Sequence, residues 1–294
     1  ASHLGRASIF HTVDAVSPDD TASQAVRRGK ATSMWMAIAS VAAGETDAVV
    51  SAGNTGALMA MSKLQLRPMT GVTRPAIAAF FPTVGELVCM LDLGANIECD
   101  AENLVQFAIL GQAFHRSLTG KDSPRLGLLN VGEEEQKGHD YLRVASRRLS
   151  DPELDLNYQG FVEGSDITNG QLDVVVTDGF SGNVALKMAE GISSMFTRLL
   201  RRSLNKSFLS RLGYLLARSA LSEMRTHIDP RHYNGAVFLG LNGIAVKSHG
   251  GTDRIGFANA INVALELVDH GFLPDVSAAI ARANTILERK DDDG

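Results

Sequence analysis

The sequence predicts an α/β fold: a doubly wound, largely parallel sheet with helices on both faces, plus a protruding amphipathic helical pair. Three observations carry this. Short β-branched apolar runs alternate with amphipathic stretches of ten or more residues, the pattern of strands joined by crossover helices. Four of those runs end in a polar residue and pass at once into a glycine-containing turn: Ser51-Ala-Gly-Asn-Thr-Gly56, Asp92-Leu-Gly-Ala-Asn96, Asn130-Val-Gly-Glu133 and Thr177-Asp-Gly-Phe-Ser-Gly-Asn183. Between 191 and 222 six basic residues occur with no acidic one, on a stretch of helical apolar periodicity.

Taken in order, Ala7 to Val13 is a short apolar run expected to form a strand. Asp20-Thr-Ala22 opens a helix expected from about Gln24 to Val41, with Val26, Met34, Ile38 and Val41 on its apolar face. Asp47 to Ser51 is a strand, and its turn leads into a helix over Ala57 to Lys63. Leu87 to Asp92 is the next strand, followed by a helix from Glu102 to about Leu118. Arg125 to Asn130 and Asp140 to Leu149 repeat the unit. Asp155 to Gly160 reads as a short strand. Asp173-Val-Val-Val-Thr177 is a buried strand, and Gly179 and Gly182 turn it into a helix that Asn183 is expected to cap. Ala236 to Leu239 and Ile244 to Ser248 read as paired strands around Gly240 to Gly243. Helices over about 254–270 and 275–289 close the chain, with the acidic tail Asp291 to Asp293 as a solvated terminus.

At 294 residues, 45% hydrophobic and 21% charged, the composition is that of an ordinary soluble chain. No apolar run is long enough to span a bilayer, and no secretory signal is visible. The chain begins at Ala1 rather than Met, so an N-terminal piece is expected to precede it. Two cysteines, Cys89 and Cys99, argue for a reducing compartment and against a disulfide framework. There is no CxxC or HExxH spacing, and His227 and His232 lack a partner ligand, so no metal and no cofactor is expected. Absence of the GxxxxGK[ST] and GxGxxG patterns weighs against ATP hydrolysis and ordinary nicotinamide binding. The net charge of −5, acidic everywhere but in one segment, suggests a local anionic partner and no nucleic acid.

Ligands of open α/β sheets bind at the carboxyl ends of strands, so the four turns are expected to converge on one crevice. Asn54, Asn96, Asn130 and Asn183 would supply neutral donors there, and Gly53, Thr55, Gly56, Gly132, Gly179, Ser181 and Gly182 close backbone approach. Lys187, one turn beyond Asn183, would bring positive charge, with Lys137 or Lys247 as further sources. A helix start with free N–H groups beside a lysine suits phosphate or a phosphorylated group. In the basic segment, Ile192, Met195, Phe196, Leu199 and Leu200 form one apolar face. Phe208, Leu209, Leu212, Leu215 and Leu216 form a second. Arg198, Arg201, Arg202, Lys206, Arg211 and Arg218 flank them. An anionic membrane, an acidic partner and a dimer interface with a basic rim all suit such a pair. The segment is therefore set apart as an insertion, 191–222, in an α/β domain made of 1–190 and 223–294.

These residues resemble a known family, the bacterial phosphate acyltransferases (acyl-[acyl-carrier-protein]:phosphate acyltransferases) of phospholipid synthesis. The motifs are Ser51 to Met59, Leu91-Asp-Leu-Gly-Ala-Asn96, Gly127 to Glu133 with Lys137-Gly138, and Thr177 to Val184 with Leu186-Lys187. Asn234-Gly-Ala236 and Lys247-Ser-His-Gly250 complete them, in the family's order. The family's opening strand and Asp-Ala-Met-Gly-Gly-Asp turn have no counterpart here. The resemblance implies transfer of a long-chain acyl group from the carrier-protein thioester to inorganic phosphate, giving acyl phosphate. It also implies a cytoplasmic homodimer associated peripherally with the inner face of the cell membrane. In that chemistry Lys187 stabilises phosphate and transition-state charge, with Asn183 beside it. Asp178 orients donors or receives a proton, and His249 is a candidate acid for the leaving thiolate. Asp92 and Lys247 join the substrate-binding set. Alternatives remain: a short-chain phosphate acetyltransferase on coenzyme A thioesters, a decarboxylating dehydrogenase of similar architecture, or a non-catalytic membrane adaptor.

Overall fold

A computed structural model describes residues 7–292. The strands are β1 (Ala48–Ser51), β2 (Ala76–Phe81), β3 (Val88–Leu91), β4 (Arg125–Leu129), β5 (Asn157–Val162), β6 (Val174–Val176), β7 (Ala236–Leu239) and β8 (Ile244–Lys247). They form one eight-stranded mixed sheet in the order β1-β8-β7-β2-β3-β6-β4-β5. Pairing is parallel for β1–β8, β3–β6, β6–β4 and β4–β5, and antiparallel for β8–β7, β7–β2 and β2–β3. The three consecutive antiparallel pairings reverse the sheet's sense. β1 and β8 therefore point one way, and β3, β6, β4 and β5 the other. β2 has no counterpart among the expected strands. Its alanine-rich, non-alternating run between Pro75 and Pro82 gives neither period, because both of its faces are covered.

One face carries α4 (Ala101–Thr119), α5 (Asp140–Leu149), α9 (Arg254–Asp269) and α10 (Phe272–Asp292), packed with Leu91, Val176 and Val246. The other carries α1 (Ala22–Arg28), α2 (Ser33–Ala42), α3 (Thr55–Gln65) and the start of α6 (Gly179–Leu204), packed with Met90, Val175 and Ala245. The acidic tail expected at Asp291 to Asp293 runs beyond the described residues.

Three elements differ from expectation. The single helix expected from Gln24 to Val41 is broken by a 3₁₀ turn at Gly29–Ala31 and restarts under a Thr32 cap. The ring of Trp35 folds against Gly29, where a Cβ would lie 2.7 Å from it. Ala7 to Val13 is not a strand. Ile9, Phe10 and Val13 stand exposed, and Asp14 alone makes a bridge, to Thr32. The expected helical pair is three helices: the far half of α6, then α7 (Phe208–Leu216) and α8 (Arg218–His227), and α7 and α8 bury nothing.

At the amino end of β6, Asp173 is buried and carries a network of its own. Arg125 grips it with Nε and Nη2, both at 3.0 Å, and with its backbone N–H at 2.7 Å, while Lys121 Nζ lies 2.8 Å away. Burial alone would push this carboxyl up, but Arg125 and Lys121 hold it far below the usual carboxylate range. The network ties β4 to β6 and to the loop after α4. Asp173→Ala leaves the Arg125 N–H and two part-exposed cations without their acceptor and should cost about 1–3 kcal/mol in urea unfolding. The sign with pH follows from a depressed carboxylate. Its contribution is complete above the unfolded carboxylate value of about 3.9 and is lost as pH falls through the lower folded value, so Asp173→Ala should flatten the acid limb of the stability profile.

Candidate active site

The antiparallel strands in mid-sheet decide where the turns go. The carboxyl ends of β3, β4 and β6 share one edge, whereas those of β1 and β8 lie at the opposite edge. The expected convergence of four turns is therefore a convergence of three, with the Ser51 to Gly56 turn elsewhere. A cleft of about 800 Å³ opens where the three meet. Asn130, Thr177, Asp178 and Ser181 line it with Ile97, Leu129, Val131, Tyr141, Leu142 and Phe180, and no lysine or arginine is among its lining residues.

α6 starts differently from expectation. Its N-cap is Asp178, whose Oδ1 accepts the Ser181 N–H at 2.8 Å and whose Oδ2 accepts the Ser181 hydroxyl at 2.9 Å. Asn183 lies inside the helix and does not cap it. The Gly179 N–H is also engaged, by the Asn96 carbonyl at 2.8 Å. A carboxylate thus occupies the helix start expected to hold phosphate, and it neutralises the dipole there. The glycines serve packing. A Cβ on Gly179 would sit 2.5 Å from Asn96 O, and one on Gly182 would sit 1.9 Å from Asp92 O.

Most of the expected amide donors are spent on the scaffold. Asn54 caps α3 through the Ala57 N–H and donates to Pro18 and Asp20 carbonyls. Asn96 donates to the Pro75 carbonyl and to Asp92. Asn130 bridges its own turn, donating to Lys137 O at 3.1 Å while Gly138 packs against it. Asp92 is fully buried and has no ion pair among the described residues. It accepts from the N–H groups of Ile77, Ala95 and Asn96 and from the Asn96 amide, at 2.7–3.1 Å. Burial pushes its carboxyl above the ordinary value against the pull of those bonds. Asp92, expected in substrate binding, instead fixes the β3–α4 turn.

Asn183 is the exception. Its side chain is exposed beside Gly94 and has no hydrogen-bond partner among the described residues. Phe180, Asn183 and Lys187 follow at helical spacing, so one stripe of α6 leads from the cleft to Lys187 over about 10 Å. Lys187 pairs with Glu190 at 2.8 Å and does not line the cleft. Its charge is felt instead at the other loop cluster, at the end of β8. Burial, and then the Lys187 charge, lower the Lys247 ammonium below the ordinary lysine value. Lys247 donates to the Ser248 carbonyl. The β1 turn, with Gly53, Thr55 and Gly56, adjoins this cluster, and Ser248 N–H donates to Ser51 O at 2.9 Å. His249 is exposed, and its Nδ1 accepts the Gly251 N–H at 3.1 Å, which leaves the neutral ring's proton on Nε2. Lys137 is tied to Glu134 at 2.9 Å in the exposed turn that holds Gly132.

Sequence reasoning missed the apolar lining, Ile97, Tyr141 and Phe180, and the His139 ring stacked on Tyr141 at 5.5 Å. Apolar residues set inside polar turns, such as Val131 and Phe180, were the available signal. Cys99 lines the cleft too, but burial, and then the Asp92 charge, push its thiol up to about 12, away from nucleophilic use.

Residues 2–274 match a family model described as "Fatty acid synthesis protein". The chain is 55% identical over 281 residues to a phosphate acyltransferase from Rhodospirillum centenum, covering 96% of this chain and 79% of the relative. It is 52% identical over 279 residues to another from Rhodospirillum rubrum, covering 95% and 80%. In structure it is similar to a phosphotransacetylase from Streptococcus pyogenes, with a TM-score of 0.54 at 18% identity, covering 86% of this chain and 77% of that one. That likeness speaks to the fold, a mixed, mostly parallel sheet clad in helices.

Two glycines of α6 separate packing from propensity. Gly182→Ala drives a Cβ into the Asp92 carbonyl and should lower stability by about 1–3 kcal/mol while dislodging Asp178. Gly191→Ala meets nothing within 4 Å and should stabilise the helix by about 0.5–1 kcal/mol. Thermal melts of both variants check the contrast.

Proposed function

The chain belongs to the phosphate acyltransferase family of fatty acid synthesis proteins, and on that premise we propose that it moves a long-chain acyl group from an acyl-carrier-protein thioester to inorganic phosphate. The acyl phosphate formed serves phosphatidic acid and phospholipid synthesis. The observation that carries this is the pairing of an apolar cleft with two lysines, joined by one stripe of α6. The cleft has the apolar walls an alkyl chain needs, and Asp178 makes it a poor place for phosphate. Lys187 and Lys247 repel each other when no anion is between them, and a phosphate dianion relieves that repulsion.

In the reaction a phosphate oxygen attacks the thioester carbonyl carbon. The new C–O bond forms, the C–S bond breaks, and the electron pair leaves on sulfur. The proton given up by phosphate ends on the carrier thiol. Lys187 and Lys247 hold phosphate against the carbonyl, and Asn183, with a free amide between cleft and lysines, steadies the developing oxyanion. Asp178 orients the Ser181 hydroxyl and N–H at the wall of the cleft, where the acyl chain lies. His249 presents Nε2–H beside Lys247 as a hydrogen-bond donor to the departing thiolate, whose proton is the one phosphate gives up.

The basic segment completes the proposal as a 191–222 insertion into the α/β domain. No helix among the described residues is long and apolar enough to cross a membrane. Leu209, Leu212, Leu215, Leu216 and Phe208 are nonetheless exposed on α7, flanked by Arg198, Arg201, Arg202, Lys206, Arg211 and Arg218. Six basic residues near anionic lipid supply at most about 6 kcal/mol, enough for reversible contact with the inner face of the cell membrane. The same charges suit the acidic carrier protein, and the exposed apolar stripe of α6 suits a homodimer contact.

The test supplies phosphate with a long-chain carrier-protein thioester in one arm and acetyl coenzyme A in the other, and measures thiol release and acyl phosphate. Turnover is expected only in the first. Lys187→Ala and Lys247→Met should each raise the phosphate KM about 10–100-fold, the loss of one charge-assisted contact; near-normal turnover in both would remove the lysines from the mechanism. Because the Lys247 pKa is lowered, phosphate affinity should fall with rising pH earlier than an ordinary lysine, near 10.4, would allow. Replacing Leu212 and Leu215 with Glu should abolish binding to anionic vesicles and spare solution turnover. Unchanged vesicle binding would return α7 to a protein interface.

A further inference from the structure

Asn234 stands at the head of β7 with none of the marks of a substrate-binding residue. It is buried, it follows a 3₁₀ turn, and the residue after it is Gly235 at φ +130°, where a Cβ would come within 3.0 Å of the Ala260 Cα in α9. Both polar atoms of its side chain, and its carbonyl, are nevertheless used. Nδ2 donates to Ser248 Oγ at 2.8 Å and to the Gly256 carbonyl at 2.7 Å. Oδ1 accepts the His249 N–H at 2.8 Å, and its own carbonyl accepts from Asn259 Nδ2 at 2.9 Å. One amide therefore joins β7, the first turn of α9 and the loop after β8.

The His249 N–H and the Ser248 carbonyl belong to a single planar peptide unit. Asn234 holds the N–H side, and the Lys247 ammonium rests on the carbonyl side. Without Asn234 that peptide is free to rotate, and the carbonyl no longer fixes where the ammonium points. The Ser248 N–H is pinned separately to Ser51, so the peptide after it is the unit whose orientation depends on Asn234.

We propose that Asn234 is a positioning residue: by clamping the Ser248–His249 peptide it sets the Lys247 ammonium for phosphate. This rests on the acyl transfer to phosphate proposed above. The phosphate KM should respond to Asn234, whereas the thioester KM should not, because the cleft lies at the other edge of the sheet.

The test is a double-mutant cycle on the full chain with Asn234→Ala, Lys247→Met and the double variant. Asn234→Ala should raise the phosphate KM about tenfold with the thioester KM within twofold, and the double variant should bind phosphate no worse than Lys247→Met alone. Additive effects, or equal rises in both KM values, would overturn the proposal. If Asn234→Ala does not fold, Ser248→Ala, which removes one anchor of the amide, should give a smaller rise with the same non-additivity, and additivity there counts equally against it. A readout independent of turnover keeps the two proposals apart. Isotope-labelled methylation of the lysines, followed by NMR titration, should show Lys247 moving in Asn234→Ala while Lys187 stays. An unmoved Lys247 defeats the positioning role even if acyl phosphate is formed, and wild-type chain that forms none defeats the reaction whatever Lys247 does.

Discussion

The Gly182 Cα lies so close to the Asp92 carbonyl that a methyl group could not be placed between them. This contact fixes the position of α6, and much else follows from it. Asp92 is buried with no ion pair among the described residues, a costly arrangement compensated by four N–H donors that hold the β3–α4 turn rigid. The rigid turn presents the Asn96 carbonyl to Gly179, and α6 can begin in only one place. Asp178 and Ser181 then form a wall of the cleft, and Lys187, two turns on, comes within electrostatic reach of Lys247. The chemistry proposed for this chain depends on a helix docked by two glycines onto a loop held by a buried carboxylate.

The second constraint is the reversal in mid-sheet. A wholly parallel sheet would gather every strand's carboxyl end at one edge. Here β7 and β2 interpose antiparallel pairings, so β1 and β8 deliver their loops to one edge and β3, β4 and β6 to the other. Two loop clusters result, one apolar with a carboxylate and one carrying lysines. A reaction that joins a long alkyl thioester to a small dianion needs both environments, kept apart yet within reach. α6 spans the gap because a crossover helix runs back along the sheet from the edge at which its strand ends.

The asparagines show how far polar turn residues are from being interchangeable. Asn130 satisfies a carbonyl of its own turn, while Asn54, besides capping α3, and Asn96 donate to carbonyls of the neighbouring segments at Asp20 and Pro75. Asn183, on the outer surface of a helix whose backbone is already paired, has nothing local to bond. Identical residue types at similar places in a strand–turn–helix unit thus divide into scaffold and free donor according to which backbone groups lie within reach.

The amino-acid sequence determined the alternation of strands and helices, the glycine turns, the basic amphipathic stretch and the family. All of these are local: periodicity, turn chemistry and residue order survive being read along one dimension. The short apolar runs at β3, β4 and β6 and the helix over Asp140 to Leu149 were legible for that reason. What only the tertiary structure decided was direction and partnership. The unread strand β2 is antiparallel to both neighbours and leaves β7 and β3 pointing the same way, so it is the antiparallel β7–β8 pair, set between β1 and the rest of the sheet, that sends the Ser51 turn away from Asp92, Asn130 and Asp178. That the Gly179 N–H is taken by the Asn96 carbonyl, that Asn183 is left without a partner among the described residues, and that Lys187 lies outside the cleft with its charge bearing on Lys247 depend on atoms distant in sequence. Their separations are set by packing, which no spacing along the chain records.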